Sequence, residues 1–218
     1  MSFELRLRRR LGATTIAADL SLAGGLSVLF GPSGSGKTSL LNMTAGLLRP
    51  DSGRVAIHGT AMFDSAAGTA LPPEKRRIGY VFQDGRLFAH RRVLANLLYG
   101  YRLAPAKERW LDPHEAIALL GIGHLLDRWP ASLSGGEAQR VAIGRALLAG
   151  SRALLMDEPL ASLDRARREE VMGAVLRVRD ELAIPILYVT HDRAEAERLA
   201  TTIVEVQGDA AGAFVWRT

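Results

Sequence analysis

Apolar side chains alternate at Phe3, Leu5 and Leu7, with Glu4, Arg6 and Arg8 between them, and again at Ile16, Ala18, Leu20 and Leu22. Period-two patterning sends one side of a segment into a core and the other into water, so this pair, joined through Leu11-Gly12, predicts an antiparallel hairpin. A short apolar strand follows at 27–30, then a glycine-rich loop and a helix from about 37 to 48. Leu40, Leu41, Thr44, Ala45 and Leu48 share one side of that helix. Pro50 and Gly53 are expected to stop it before a small strand at 55–57.

After a strand at 78–82 the texture changes. From about 86 to 149 the pattern is helical, broken at Pro105, Pro113, Pro130 and the Gly135-Gly136 pair. Sheet patterning resumes at 153–156, 186–190 and 203–206. Between the first two of these lies a helix carrying Val171, Val175, Val178 and Leu182 at helical spacing. Strands separated by helices imply an α/β fold with a mainly parallel sheet. The expected organisation is one domain over 1–218, with a core of about 1–85 and 150–218 and an inserted helical subdomain of about 86–149.

Composition narrows the class. Hydrophobic residues make up 48% and charged residues 23% of the 218, an ordinary globular balance. The absence of cysteine excludes a disulfide framework and a thiolate metal site. The basic start MSFELRLRRR is not followed by a signal-peptide core, and the uncharged run 21–36 holds five glycines and is too short for a membrane span. The chain is therefore expected to be soluble by itself and to meet any membrane through a partner. A net charge of +5 admits nucleic acid, anionic lipid or polyphosphate ligands.

Residues 31–38 read GPSGSGKT, matching G-x-x-x-x-G-K-[ST] between an apolar strand and a helix. Backbone N–H groups of Gly31, Pro32's neighbour Ser33, Gly34, Ser35 and Gly36, with Ser39 behind them, suit phosphate oxygens at a helix N-terminus. Lys37 is placed to reach the β- and γ-phosphates and Thr38 to ligate Mg²⁺. Ligands of open α/β sheets bind beyond the carboxyl ends of the strands. There the other strands end in Gln83, in Asp157-Glu158 and in His191. Asp157 suits a Mg²⁺ position and Glu158 a general base for the attacking water. Gln83 suits a bridge between Mg²⁺ and that water, and His191 a contact to the γ-phosphate. The plainer alternatives are a turn at Gln83-Asp84 and a structural histidine.

Residues 133–140 read LSGGEAQR. With the phosphate loop, this octet resembles the signature of ATP-binding-cassette ATPases. The order of phosphate loop, Gln83, signature, LLMDEP, the SLD of 162–164 and His191 matches that family along essentially the whole chain. The resemblance implies a P-loop NTPase core with an N-terminal antiparallel β subdomain, ATP and Mg²⁺ as cofactors, and a head-to-tail homodimer. In that dimer Ser134, Gly135, Gly136 and Glu137 of each copy cap the nucleotide held by the other, with Asp164 at the interface. Asp164 equally suits the cap of a helix starting near Arg165.

The stretch LPPEKRRIGYVFQDGRLFAH, with NLLYG after it, is similar to the ATPase subunit of bacterial molybdate importers. That likeness implies membrane-spanning permease subunits, a periplasmic solute-binding protein reached indirectly, and a peripheral place on the cytoplasmic side of the membrane. Arg86, Leu87, Phe88 and Leu94 become candidate permease contacts, with Leu87 and Phe88 equally eligible as core. Two departures stand out. Residues 8–13 read RRRLGA and offer no aromatic ring for adenine, and Thr218 falls about one strand after 203–206. Molybdate-type subunits usually continue there into a regulatory domain, so either a truncated member or a related importer without that control is expected. Import is favoured over export because the cassette is not fused to membrane spans. A cassette ATPase acting on nucleic acid is the first rival, supported by the pI of about 10.1. It lacks a second cassette, coiled-coil insertion or zinc motif, so nucleic acid is not an expected partner. The second rival, a non-hydrolysing regulator, has no use for Glu158.

Overall fold

The computed structural model describes residues 1–208 and 213–217. The chain forms two compact units, Met1–Arg76 with Pro185–Thr218, and Arg77–Ile184. The first unit begins with β1 (Phe3–Leu11), β2 (Thr14–Leu22), β3 (Leu26–Phe30), α1 (Lys37–Ala45), β4 (Ser52–Ile57), β5 (Thr60–Asp64) and β6 (Thr69–Ala70). The second holds β7 (Ile78–Val81), α2 (Val93–Leu103), α3 (Pro113–Leu120), α4 (Gly135–Leu148), β8 (Ala153–Asp157) and α5 (Arg165–Leu182). The chain then returns to the first unit for β9 (Ile186–Thr190), α6 (Arg193–Leu199), β10 (Thr202–Gly208) and β11 (Ala213–Arg217).

The alternation at the N-terminus becomes the β1–β2 hairpin, in which Phe3 faces Leu22, Leu5 faces Leu20 and Leu7 faces Ala18. All six are buried, and each large apolar side chain contributes about 1.5–3 kcal/mol on leaving water. On the wet side Arg6 pairs with Asp19 at 3.4 Å, both well exposed, an interaction of about 0–1 kcal/mol. The hairpin stands in a sheet of order β6-β5-β4-β1-β2-β11-β10-β3-β9. Its N-terminal part, through β1, β2, β4, β5 and β6, is antiparallel. The β10–β3–β9 part is parallel, as is the β7–β8 pair of the second unit. Every residue of β8 and β9 is buried, which is why their sequences run apolar without alternation.

Several elements differ from expectation. Helix α1 ends at Ala45, not near Leu48, because Gly46 takes a left-handed φ of 85° and returns its N–H to the Met43 carbonyl. Pro50 and Gly53 therefore do not stop it. Buried Arg76 closes the same helix end, donating to the Met43 and Thr44 carbonyls at 3.0 and 2.8 Å, a favourable place for a cation. Strands β5 and β6 lie outside the segments expected to be strands; β11, the further strand expected after 203–206, runs parallel to β2 and antiparallel to β10, burying Trp216 between them. The expected boundaries near 85 and 150 do not coincide with the edges of the compact units, since β7, β8 and α5 share the second unit with the helices.

Gly53 pairs with Leu7 where β4 crosses β1, at φ 109°. An added Cβ would lie 2.0 Å from the Arg6 carbonyl oxygen and 2.7 Å from the Leu7 Cα. Backbone cannot retreat as a flexible side chain does. Gly53→Ala should therefore destabilise the protein by about 2–4 kcal/mol, read from urea unfolding midpoints; an unchanged midpoint would contradict the register described.

Candidate functional site

The phosphate-loop sequence leaves β3 after Phe30 and enters α1 at Lys37. Gly34 and Gly36 carry φ of 83° and 85°, a conformation that a Cβ disfavours. Gly36 is also tight, since a Cβ there would meet the Ile16 side chain at 2.6 Å. Lys37 is buried, and its Nζ donates to the Gly31 and Pro32 carbonyls at 2.8 Å each. The loop thus folds around its own cation. The early N–H groups of α1, those of Thr38 and Ser39 among them, lack carbonyls one turn back within the helix.

Strand β9 lies parallel to β3 with Thr190 beside Phe30. His191 and Gly31 therefore leave adjacent strands at one edge, with strands spaced about 4.8 Å apart. His191 is exposed. Its backbone is fixed on both sides: Thr190 is buried, its Oγ1 accepts from the Asp192 N–H at 3.0 Å, and Asp192 caps α6 by accepting from the Glu195 N–H at 3.1 Å.

The second unit repeats this geometry. Val81 of β7 pairs with Met156 of β8, so Gln83 and the Asp157-Glu158 pair follow from neighbouring strand ends. Asp157 is buried and accepts from the Tyr80 hydroxyl at 3.3 Å. Burial, then the adjacent Asp157 carboxylate, pushes the Tyr80 phenol well above its ordinary value of 10.0, keeping the hydroxyl a donor. Glu158 is half-buried and holds a φ of 44°. That left-handed backbone is costly for a non-glycine residue and clusters at functional positions.

Gln83 has an exposed side chain on a tethered backbone. Gln139 of α4 donates its Nε2 to the Gln83 carbonyl at 2.5 Å and the Phe82 carbonyl at 3.2 Å. Arg145 of α4 donates to the Gly85 and Arg86 carbonyls at 2.9 and 2.7 Å, and burial pulls its pKa down. Gln139 lies inside the LSGGEAQR octet, while Arg145 lies outside the motifs. Their signal is a glutamine at a buried position of α4 and an arginine inside the apolar run 141–148.

Ser134 begins α4 with a capping box. Its N–H donates to Glu137 Oε2 at 2.7 Å, and its Oγ accepts from the Glu137 N–H at 3.3 Å. A Cβ on Gly135 would meet Leu163 Cδ2 at 2.7 Å, and one on Gly136 would meet Arg167 Cβ at 3.2 Å. The two glycines let the start of α4 approach the segment that contains Asp164. Asp164 caps α5, accepting from the Arg167 N–H at 3.0 Å and pairing with its guanidinium at 3.1 Å. Of the candidate partner contacts, Arg86 is exposed, Leu87 and Phe88 are half-buried, and Leu94 is 38% exposed. Phe88 packs 4.7 Å from the Tyr99 ring. Leu94 also lines a cleft of about 570 Å³ with Leu98, Tyr101, Ile117 and Leu126.

The chain is similar to known proteins along most of its length. Residues 18–161 match the family model described as ABC transporter. The chain is 56% identical over 94% of its length to the molybdenum import ATP-binding protein ModC of Mesorhizobium japonicum. It is 53% identical, again over 94%, to the protein of that name from Paramagnetospirillum magneticum. It covers 55% and 56% of those two proteins, so the chain spans about half the length of these relatives. Among solved structures it resembles cbiO1 of Clostridium perfringens, part of the ABC transporter complex cbiONQ. That match has a TM-score of 0.79 and 26% identity over 97% of this chain and 86% of the other. A dimeric bacterial ABC transporter cassette matches at 0.75, with 26% identity over 97% and 96%. Among the described residues no helix is long and apolar enough to cross a membrane.

The capping box sets a pH dependence. The Ser134 N–H, with the Ser134 hydroxyl, Arg128 and His124 adding to it against desolvation, holds the Glu137 carboxyl below its ordinary 4.5. A lowered folded-state pKa stabilises above the unfolded value, and this contribution is lost as pH falls through the folded one. Glu137→Gln should therefore lower the urea midpoint at pH 7, and the gap from wild type should be smaller at pH 3. Ser134→Ala, which removes the other half of the box, should cost about 0.5–2 kcal/mol. A Glu137→Gln deficit equal at both pH values would contradict the assignment.

Proposed function

The chain belongs to the ABC transporter family, and from that premise we propose that it is the ATP-binding and ATP-hydrolysing subunit of an importer. The observation that carries the reading is the pair of parallel registers, Phe30 beside Thr190 and Val81 beside Met156. They deliver a phosphate loop, a histidine, a glutamine and two carboxylates at strand ends. In this reading Gly31–Ser39 cradles the phosphates of ATP, and Lys37 exchanges its loop carbonyls for the β- and γ-phosphate oxygens. Glu158 accepts a proton from water as the water oxygen bonds to the γ-phosphorus. The bond from that phosphorus to the β–γ bridging oxygen breaks, and ADP and phosphate result. His191 contacts the γ-phosphate.

The donor chemistry fits Mg²⁺. The Thr38 hydroxyl, Gln83 amide oxygen and Asp157 carboxylate are hard oxygen donors. Among the described residues no group of three or more His, Cys, Asp or Glu could hold a metal. Mg²⁺ is usually completed by phosphate oxygens and water, so few protein donors are needed. Bound there, the ion would neutralise phosphate charge.

The proposal extends to assembly. The N-terminus of α4, with Ser134, Gly135, Gly136 and Glu137, is a second anion site, offered to the nucleotide of another copy in a homodimer with Asp164 at the interface. One of the similar cassettes is described as dimeric, which supports this arrangement. The helical segment of about 86–149 acts as the signature-bearing subdomain of one ATPase domain. Arg86, Leu87, Phe88 and Leu94 meet permease subunits on the cytoplasmic side of the membrane, and a periplasmic binding protein supplies solute to the permease. The names of the ModC relatives favour molybdate or a similar oxyanion as cargo. Nucleic acid has no part in the proposal.

Three outcomes test it. Lys37→Ala should abolish Mg-ATP binding, followed with a fluorescent ATP analogue; unchanged affinity would mean the nucleotide binds elsewhere. Glu158→Gln should bind ATP normally yet hydrolyse it about 10²- to 10⁴-fold more slowly, whereas wild-type turnover would assign the water to another residue. Deleting the gene in a strain with no paralogue should lower cellular molybdenum at scarce supply; normal uptake would remove the cargo assignment and leave the ATPase assignment standing.

A further inference from the structure

Residues 80 and 82 project from the same side of β7 and the turn that follows it. The Tyr80 and Phe82 rings stack, with centroids 4.2 Å apart and planes 19° apart. The Arg86 guanidinium carbon lies 3.9 Å from the centre of the Phe82 ring. At the other end of this stack the Tyr80 hydroxyl donates to Asp157 Oδ2 at 3.3 Å. A chain of contacts therefore runs Arg86–Phe82–Tyr80–Asp157, entirely inside the second unit.

Stacking alone does not account for tyrosine at this position. A phenylalanine would stack on Phe82 equally well, and only the phenolic oxygen extends to the carboxylate. We propose that Tyr80 is a positioning residue for Asp157, with the Phe82–Arg86 stack holding its ring so that the hydroxyl restrains the carboxylate's rotation. This rests on the reading of Asp157 as a Mg²⁺ ligand. It adds a physical link between Arg86, the candidate partner contact, and the carboxylate on the cation side of the site. Hydrogen-bond donors to metal-binding carboxylates fix ligand orientation, and losing one typically weakens metal affinity about 10- to 100-fold.

The test uses the full chain and a fluorescent ATP analogue, with binding measured in EDTA and then across a Mg²⁺ titration. Tyr80→Phe should bind the analogue in EDTA as the wild type does, while the Mg²⁺ concentration for half-maximal tightening rises about 10- to 100-fold. In an Asp157→Ala background the same substitution should add no further shift, because its acceptor is gone. Arg86→Ala should move the Mg²⁺ midpoint in the same direction by less. A Tyr80→Phe midpoint within twofold of wild type would overturn the proposal, as would a full additional shift in the Asp157→Ala background. An unmoved Arg86→Ala midpoint would overturn the part that runs through Phe82. A purely structural tyrosine would instead weaken binding in EDTA and leave the Mg²⁺ midpoint alone. Wild-type binding indifferent to Mg²⁺ would strike the metal assignment beneath the proposal, and the proposal with it.

Discussion

Parallel pairing of buried strands is the constraint on which the rest depends. Side-by-side strands that run the same way end at the same edge, so whatever follows them is collected there without any long-range search. Phe30 beside Thr190 sets the phosphate loop next to His191, and Val81 beside Met156 sets Gln83 next to Asp157 and Glu158. Strands β8 and β9 are buried throughout, and a slip of one residue would turn their packing faces over. Core packing thereby holds the ionisable groups in register, although those groups contribute little to the core.

Helix α4 ties a second set of residues together. Its first turn is stabilised by the Ser134–Glu137 box and packs closely on Leu163 and Arg167 through two glycines. Further along, Gln139 and Arg145 hold the carbonyls of Phe82, Gln83, Gly85 and Arg86. One rigid helix thus touches the signature, the cap of α5 and the glutamine loop. A displacement of residues 82–86 would strain four hydrogen bonds to α4. The glycines serve packing, so their presence alone does not identify a phosphate site.

Much of this is legible in the amino-acid sequence. The hairpin follows from strict alternation, because Leu5 and Leu20 can be buried together in only one face pairing. The phosphate loop follows from its fixed positions between strand and helix, and the strand-end residues from the general behaviour of open sheets. Other features have no local signal. The end of α1 turns on the left-handed Gly46, with Arg76 reaching back to the Thr44 carbonyl across 32 positions of sequence. Strand β11 depends on pairing with β2, nearly the whole chain distant, and short apolar stretches near a terminus do not announce such partners. The roles of Gln139, Arg145 and Tyr80 are tertiary contacts, invisible to periodicity.

Central to the proposed mechanism is that the phosphate loop of one copy works with the signature of another. Two disabled variants can test it together. Lys37→Ala keeps a sound signature, and Ser134→Arg keeps a sound phosphate loop but places a bulky cation where a partner's phosphate would dock. Each alone should be inactive. Mixed in equal amounts, they form some dimers in which the intact loop of one copy faces the intact signature of the other. The measurement is the ATPase rate of the mixture against each variant alone. A composite site predicts that activity returns on mixing; a mixture as inactive as its components would contradict a site built from two copies.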